Sequence, residues 1–261
     1  MFSAIDKVVI VTGGSQGIGA AIVKEFMNEG AKYIAILDVD EEAGKSLING
    51  IKTHNRCTIK FIKCDVSDDS NLIAAFEEVT SDNGHIDLVI NNAGVTNEEG
   101  GLYKKAIEIN FTAVVTSTIK VLDLMRKDKG GKGGTIINIS SLCALSLKCP
   151  TLFVYCATKG AVLQFTSSIG MQPYFEKTNV RMLCVCFGLT KTNIIQSLKS
   201  FDPEVTEYVS AGTAVNPFQS AESAAKGLME VYKNGDSGST WLINSSKTSN
   251  ISGNIQKAYE I

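Results

Sequence analysis

Residues Val8 to Ile22 read VVIVTGGSQGIGAAI, and this stretch decides how the fold begins. Its first part is a short β-branched apolar run, which is typical of a strand covered on both faces in a parallel sheet. Glycines and small polar residues interrupt the run, and an amphipathic stretch follows from Ala20 to Glu29. The stretch therefore predicts a strand, a tight glycine-rich turn and a helix.

The same alternation of short apolar runs and longer helical patterns continues along the chain. The apolar runs cover residues 8–12, 33–38, 59–66, 86–92, 135–140, 180–187 and 239–244. Candidate helices lie near 17–29, 41–53, 69–82, 103–127, 156–176 and 221–234. This order predicts an α/β fold with a Rossmann-type doubly wound parallel sheet of about seven strands flanked by helices. Because no linker or repeat divides the chain, residues 1–261 are predicted to form a single domain.

The charge balance limits the kinds of partner. The 261 residues include 25 basic and 27 acidic side chains, a formal net charge of −2, with no block of like charge. This pattern gives no basis for a nucleic-acid or anionic-membrane partner, and it favours a small neutral substrate. Glycines end the first apolar run too early for a signal peptide or a membrane span, so a cytoplasmic location is expected.

Cysteine and histidine usage narrows the chemistry further. The seven cysteines form an odd set without a C-x-x-C pair, which argues against a disulfide framework and against structural zinc. We expect them to be buried, reduced thiols. The two histidines, His54 and His85, lie in polar stretches, so neither a histidine-based triad nor a bound metal is predicted.

The glycine loop and the end of the second strand predict a dinucleotide site. The loop would let a pyrophosphate approach backbone N–H groups at the positive end of the first helix. Asp38 follows about 20 residues later, the spacing of a carboxylate that accepts both hydroxyls of an adenosine ribose. A carboxylate there repels a 2′-phosphate, and neither Ser15, Gln16 nor Val39 supplies a cation for one. NAD is therefore predicted in preference to NADP.

Asp65 ends the third predicted strand, where it could meet an adenine amino group. The alternative is that Asp65 caps the helix that follows. Ser67 and Asp68 are better placed for that cap.

The segment VYCATKGA at 154–161 places Tyr155 and Lys159 four residues apart. On a helix, residues i and i+4 share one face. An ammonium beside a phenol favours the phenolate, so the pKa of Tyr155 is expected to fall from about 10 towards neutrality. Such a tyrosine could exchange a proton with an alcohol.

Four motifs stand in one order along the chain. They are the glycine loop, NNAG at 91–94, NISS at 138–141 and YCATK at 155–159. Together they resemble the short-chain dehydrogenase/reductase family, and the resemblance runs from about Lys7 to Ile243. It implies one dinucleotide-binding and catalytic domain that transfers a hydride between NAD and an alcohol or carbonyl.

The resemblance also implies roles for individual residues. Tyr155 matches the family's catalytic acid/base, and Lys159 matches the partner that lowers the tyrosine pKa and holds the nicotinamide ribose. Ser141 matches the hydroxyl that orients the substrate oxygen, and Asn110 matches the asparagine that keeps a water and the lysine in a proton relay. The predicted cofactor contacts are Gly13, Ser15, Gln16, Gly17, Ile18, Gly19, Asp38, Asp65, Val66, Asn91, Ala93, Gly94, Tyr155, Lys159, Gly188, Thr190 and Thr192.

Two departures from the family pattern leave alternatives open. Phe187 stands where most relatives have a proline after the sixth strand, so the loop over the nicotinamide could be looser or differently angled. Ser141 precedes Tyr155 by 14 residues, where a spacing of about 13 is commoner in the family, and Ser140 is the alternative serine.

The C-terminal segment QSAESAAKGLMEVYKNG at 219–235, the STW at 239–241 and the LDVDEEAG at 37–44 resemble the branch of insect-type alcohol dehydrogenases and 15-hydroxyprostaglandin dehydrogenases. The leading hypothesis is NAD-dependent oxidation of a hydrophobic secondary, terpenoid or lipid-derived alcohol, or the reverse reaction. One alternative is a hydroxyprostaglandin or hydroxy fatty acid dehydrogenase. An alternative of another class is a non-catalytic relative that binds a dinucleotide or a lipid.

The predicted substrate pocket is apolar, as pockets of this size usually are. Its residues are Leu142, Leu147, Phe153, Phe187, Leu189 and Ile194, and a lid segment is expected near 189–212. Lys148, Lys191 and Lys199 could anchor an acidic tail, although simple solvent exposure is the favoured explanation for them. The resemblance also implies a homodimer or homotetramer that pairs the helices near 103–127 and 156–176.

Overall fold

The computed structural model describes residues 1–51, 57–146, 152–215 and 218–260. Within these ranges the strands are β1 (Val8–Thr12), β2 (Tyr33–Asp38), β3 (Thr58–Lys63), β4 (Leu88–Asn91), β5 (Gly134–Ser141), β6 (Val180–Phe187), β7 (Thr240–Asn244) and β8 (Lys247–Asn250). The α-helices there are α1 (Gly17–Asn28), α2 (Glu41–Gly50), α3 (Asp69–Asn83), α4 (Tyr103–Ile107), α5 (Ala113–Met125), α6 (Phe153–Ile169), α7 (Gln172–Thr178), α8 (Pro203–Val215), α9 (Ala221–Asn234) and α10 (Ser252–Tyr259).

The described strands form one sheet in the order β3-β2-β1-β4-β5-β6-β7-β8. All neighbouring pairs from β3 to β7 are parallel, and β8 runs antiparallel to β7. The strand order reverses between β1 and β4, where Val9 pairs with Leu88. The predicted doubly wound α/β fold is confirmed. The eighth strand was missed because its residues, KTSN, are polar at an edge of the sheet.

Two hydrophobic layers cover the faces of the sheet. On one face, Ile22 of α1 and Leu228 of α9 join a large buried cluster. On the other face, Leu72 of α3 and Val121 of α5 belong to a second cluster. β1 is buried along its whole length, as its unbroken apolar run predicted.

Two predicted helices differ from the observed elements. The stretch near 103–127 contains a π-helical turn at Glu108–Thr112 between α4 and α5. The stretch near 156–176 ends at Gly170, and α7 begins separately with Pro173 in its first turn. At this point the backbone of Gly170 packs closely against that of Gly238, so that a Cβ on Gly170 would collide with it.

The described cysteines are free thiols, but the expectation that all are buried was wrong. Cys57, Cys143 and Cys156 are half-buried, whereas Cys64, Cys184 and Cys186 are buried. Cys57 precedes the partly exposed strand β3. Cys143 lies in the turn after β5, and Cys156 lies in the first turn of α6. Cys149 and His54 lie outside the described residues. None of the helices in the described part of the chain has the length and apolarity to cross a membrane.

Candidate active site

The glycine loop lies at the carboxyl end of β1, beside the point where the strand order reverses. Gly13 has φ +60, and a Cβ there would come within 2.9 Å of the Ala93 Cα in the loop after β4. A Cβ on Gly19 would collide with the carbonyl oxygen of Gly13. Both positions therefore require glycine, and the turn leaves backbone N–H groups open at the start of α1.

Two polar side chains at this turn fit a dinucleotide. The Oγ of Ser15 is buried and has no hydrogen-bond partner among the described residues. Asp38, at the end of β2, accepts a hydrogen bond from the Ser15 N–H at 3.0 Å and one from the Asp40 N–H at 3.1 Å. The carboxylate thus faces the glycine loop with acceptor capacity left for ribose hydroxyls.

Strand pairing places a lysine beside Asp38, because Lys63 on β3 is the Cα partner of Asp38 on β2. The Lys63 ammonium lies 3.9 Å from Glu41, on an exposed edge of the sheet. Sequence inspection of positions 15, 16 and 39 did not consider Lys63, because only strand pairing brings it beside Asp38.

Asp65 is engaged by its own loop and by a lysine. Its Oδ1 accepts hydrogen bonds from the N–H and the hydroxyl of Ser67, and these bonds lower the pKa of Asp65. Its Oδ2 lies 3.4 Å from the ammonium of Lys105. Asp68 caps α3, as its position predicted. The neighbouring Val66 is buried in the core.

Asn91 serves the sheet, because its amide is already paired. Its Nδ2 donates to Asn138 Oδ1 at 2.8 Å, and its Oδ1 accepts from the Ser117 hydroxyl at 2.7 Å. Asn138 Nδ2 in turn donates to the Thr166 hydroxyl at 3.0 Å. This buried network joins β4 and β5 to α5 and α6, and so fixes the helix that carries Tyr155.

Tyr155 lies in the first turns of α6, next to the end of β5. The hydroxyl of Ser141 is hydrogen-bonded to the Tyr155 side chain and also accepts from the Cys143 N–H at 3.2 Å. The hydroxyl of Ser140 donates instead to the Lys159 carbonyl at 2.7 Å. Of the two candidate serines, Ser141 is the one whose hydroxyl meets the phenol.

Lys159 and Asn110 converge on Gly94 at the end of β4. A Cβ on Gly94 would lie 3.2 Å from Asn110 Oδ1 and 3.4 Å from Lys159 Nζ. The Lys159 ammonium donates to the Ile139 carbonyl at 3.0 Å and lies 5.8 Å from the centre of the Tyr155 ring. Asn110 lies in the π-helical turn at Glu108–Thr112 and is completely buried.

The expectation that Lys159 lowers the pKa of Tyr155 was wrong for this structure. Burial is the largest influence on the phenol and raises its pKa, and negative charge at Cys143 raises it further. The Ser141 hydrogen bond acts in the opposite direction. Burial also lowers the pKa of Lys159, to about 8. Low-dielectric surroundings disfavour both charged forms, and this effect outweighs the proximity of the two groups.

The loop after β6 reaches back to the glycine loop. A Cβ on Gly17 would lie 3.2 Å from the methyl carbon of Thr192, and Gln16 Oε1 accepts from Asn193 Nδ2 at 2.9 Å. The Thr190 hydroxyl donates to the Gly188 carbonyl at 2.9 Å. The loop after β6 therefore contacts the glycine loop of the predicted dinucleotide site through Thr192 and Asn193.

The predicted pocket residues do not all lie together. Phe187 is 5% exposed inside the hydrophobic cluster against α1 and α9, which places its ring in the core instead of at the site. Leu142, Leu189 and Ile194 are half-buried on loops at the carboxyl ends of β5 and β6. Leu147 and Lys148 lie outside the described residues.

The lid segment contacts the start of α6 through aromatic rings. The rings of Phe153 and Phe201 lie 5.5 Å apart between centroids, and both side chains are partly exposed. Lys199 forms an ion pair with Glu99 at 3.1 Å, whereas Lys191 is exposed. Among the described residues, no cluster of three or more His, Cys, Asp or Glu is arranged to hold a metal ion.

Sequence reasoning missed Glu98. This residue lies in the loop after β4 and is completely buried against the start of α6. Its Oε1 accepts a hydrogen bond from the Tyr155 N–H at 2.6 Å. Nothing in the segment TNEEG distinguishes Glu98 from its exposed neighbour Glu99.

Comparisons with known proteins agree with this geometry. Residues 7–203 match the family model described as short chain dehydrogenase. The NAD(+) 15-hydroxyprostaglandin dehydrogenase of Rattus norvegicus is 37% identical over 194 residues, which make up 74% of this chain and 71% of that protein. Alcohol dehydrogenase 1 of Ceratitis capitata is 30% identical over 249 residues, 93% of each chain.

A solved short chain dehydrogenase/reductase from Burkholderia phymatum, in complex with NAD, has the same fold. Its TM-score is 0.77 at 19% identity, and the match covers 89% of this chain and 88% of that one. The family match spans well over half of the sequence and includes the tyrosine, lysine, serine and asparagine that the fold brings together. The chain therefore belongs to the short chain dehydrogenase family, and it is an oxidoreductase.

Proposed function

We propose that this protein oxidises a hydrophobic alcohol to the carbonyl compound, or catalyses the reverse reaction, with NAD as its cofactor. The main support for this proposal is that four side chains meet at the carboxyl ends of β4 and β5, next to the glycine loop. They are Ser141, Tyr155, Lys159 and Asn110. Asp38 faces that loop and supports the choice of NAD over NADP.

Each side chain has a distinct task in the proposed reaction. The Ser141 hydroxyl, hydrogen-bonded to the phenol, holds the substrate oxygen beside Tyr155. Tyr155 takes the alcohol proton during oxidation and returns it during reduction. The Lys159 ammonium, 5.8 Å from the centre of the phenol ring, holds the nicotinamide ribose, while Asn110 keeps the Val95 and Gly94 backbone beside the lysine. NAD supplies the hydride acceptor.

The substrate is proposed to be a secondary, terpenoid or other lipid-derived alcohol. Support comes from the apolar side chains on the loops around Tyr155 and from the aromatic contact between the lid and α6. The likeness to 15-hydroxyprostaglandin dehydrogenases supports a hydroxy fatty acid as the second candidate. The ion pair of Lys199 with Glu99 argues against Lys199 as a free anchor for an acidic tail.

A panel of alcohols with NAD tests the proposal. Production of NADH from secondary alcohols is expected from the wild-type protein, and Tyr155→Phe should bind NADH normally while turnover falls about 100- to 10,000-fold. Tyr103→Phe, a partly exposed tyrosine on α4, is the control and should keep its activity. A wild-type protein that binds NADH and oxidises no member of the panel would support the non-catalytic alternative.

We further propose that the chain is one domain that works as a homodimer or homotetramer in the cytoplasm. The free thiols among the described residues support a reducing compartment. Exposed apolar side chains on the outer faces of α5 and around α7, including Ile119 and Met171, support association.

A further inference from the structure

Glu98 is a buried carboxylate that the proposed reaction does not use. It is 0% exposed, whereas the side chain of the adjacent Glu99 is 59% exposed and pairs with Lys199. Burying a carboxylate is costly unless its oxygens find hydrogen-bond donors. The position of those donors therefore indicates what Glu98 does.

The donors are the backbone N–H groups at the start of α6. Glu98 Oε1 accepts from the Tyr155 N–H at 2.6 Å, and the nearby N–H groups of Phe153 and Val154 favour the ionised carboxyl by lowering its pKa. The first N–H groups of a helix have no partner within the helix. The N-cap residue, Leu152, has no side-chain acceptor to supply one. Glu98 thus caps α6 from 57 residues away in the sequence.

The backbone that carries Glu98 is itself fixed to other parts of the site. Val95 exchanges two hydrogen bonds with the Asn110 side chain, at 2.8 and 2.9 Å. The Glu98 N–H donates to the Lys199 carbonyl at 2.7 Å. The Thr96 hydroxyl donates to the Ile194 carbonyl at 3.2 Å. Residues 95–98 therefore connect the asparagine, the lid and the tyrosine helix.

We propose that Glu98 is a positioning residue for the catalytic tyrosine, holding the first turn of α6 in register with Asn110. This inference rests on the proposed function, in which Tyr155 handles the proton. Reaction rates are sensitive to such placement, because a shift of about 1 Å can cost about 100-fold.

The acceptor atom, more than the negative charge, is the feature that matters. Oε2 has no hydrogen-bond partner among the described residues, and burial raises the pKa of Glu98. A glutamine keeps an acceptor oxygen at the same distance from the main chain, an aspartate withdraws it by one methylene, and a leucine removes it. The three replacements form a graded series.

The experiment measures two properties of Glu98→Gln, Glu98→Asp and Glu98→Leu in the full-length protein. The first is hydrogen exchange of a peptide that covers the start of α6, which needs no substrate. The second is steady-state kinetics, with kcat and KM determined separately for the alcohol and for NAD. Glu99→Leu is the matched control, because it removes a neighbouring carboxylate that is exposed and does not contact α6.

Glu98→Leu is expected to speed exchange of these amides and to lower kcat by about tenfold or more, because the buried N–H group loses its acceptor and a small displacement of a reacting group can cost up to about 100-fold. KM for both substrates should stay within about threefold, because ground-state binding is unchanged. Glu98→Gln should restore protection and most of kcat, and Glu98→Asp should fall between. Glu99→Leu should match the wild type.

Wild-type exchange and kcat in Glu98→Leu would overturn the proposal, as would a Glu98→Gln variant no better than Glu98→Leu. If Glu98→Leu does not fold, the comparison of Glu98→Gln with Glu98→Asp decides in the same way. A wild-type protein without turnover would refute the proposed function, while the exchange series would still decide whether Glu98 holds the helix.

Discussion

At the residue scale, Tyr155 and Lys159 show how burial governs the reacting groups. Burial raises the pKa of the phenol and lowers the pKa of the ammonium to about 8. Because its pKa is raised, the phenol is protonated at neutral pH, whereas oxidation of an alcohol requires the phenolate as proton acceptor. The rate of oxidation should therefore increase with pH above neutrality, because the fraction of phenolate grows, and the rate of carbonyl reduction should not.

The buried Lys159 should also reduce stability at neutral pH. Its folded pKa of about 8 lies below the ordinary 10.5, so between these values the unfolded chain binds the extra proton and stability rises with pH. Below pH 8 the cost is complete, about 3 kcal/mol as an order of magnitude. Lys159→Met should therefore unfold at higher urea concentration than the wild type at pH 7, although it loses activity.

Urea titrations of both proteins from pH 7 to 10.5 check this prediction. The advantage of Lys159→Met should shrink through that range, because the wild-type lysine becomes neutral in both states. A constant difference, or a less stable variant at pH 7, would contradict the buried-ammonium explanation.

The second residue-scale prediction concerns Asp38. The wild-type protein should prefer NAD over NADP by at least about tenfold, or about 1.4 kcal/mol. Asp38→Ala should narrow that preference, because it removes the carboxylate that faces the glycine loop and leaves Lys63 beside it on β3. Specificity constants for both cofactors measure the effect. Adding Lys63→Ala to Asp38→Ala should restore part of the preference, and equal use of both cofactors by the wild type would refute the role of Asp38.

At the element scale, the lid and the start of α6 form one apolar surface. Phe201, just before α8, packs against Phe153 on the first turn of α6. If the substrate lies along these rings, the specificity constant should rise with chain length across a series of secondary alcohols. Each methylene is worth about 0.8 kcal/mol when buried, which is about fourfold.

Phe201→Ala should reduce the increase of the specificity constant with chain length, because it removes one wall of the proposed pocket. The specificity constant for short alcohols should change little. Ile5→Ala, at an exposed residue before β1, serves as the control and should leave the slope unchanged. The slope of log(kcat/KM) against chain length is the measurement, and a flat or falling wild-type series would eliminate the apolar pocket.

The helix around Asn110 shows what periodicity could and could not predict. The apolar pattern near 103–127 correctly indicated a helix, but nothing in it announced the π-helical turn at Glu108–Thr112. That turn adds a residue to one winding of the helix and directs Asn110 to the Val95 backbone. π-Helical turns often occur at functional sites, where a side chain must be re-aimed.

At the scale of the whole molecule, exposed apolar side chains lie along α5 and α7. Ile119 on α5 is 47% exposed, and Met171 is 61% exposed where it lines an open depression with Phe165, Ile169 and Tyr174. Apolar patches of this kind mark association surfaces. Sedimentation at micromolar concentration should therefore give a species of at least twice 28.0 kDa.

Ile119→Glu should shift that equilibrium towards the monomer, because a carboxylate would be buried in the proposed interface. Ile5→Glu places the same charge at another exposed apolar residue and should not. A wild-type protein that sediments only at 28.0 kDa would refute the association.

Local sequence patterns were enough to predict the family, the doubly wound sheet and the candidate reacting groups. Buried parallel strands need near-continuous apolar runs, and the glycine loop and the Tyr155–Lys159 pair depend on short-range spacing that can be read directly. β8 was not predicted from the sequence, because this polar edge strand has no apolar run. Phe187 was misplaced because alternation along β6 turns it to the core face, which only packing reveals.

The tertiary structure alone decided how charge is distributed at the site. Whether Lys159 lowers the pKa of Tyr155 depends on how deeply both are buried, and Ser141 is distinguished from Ser140 only by which hydroxyl reaches the phenol. Glu98 and Glu99 are identical in sequence terms, yet one caps the tyrosine helix and the other faces solvent. Such differences arise from contacts between residues far apart in the chain, and local spacing carries no information about them.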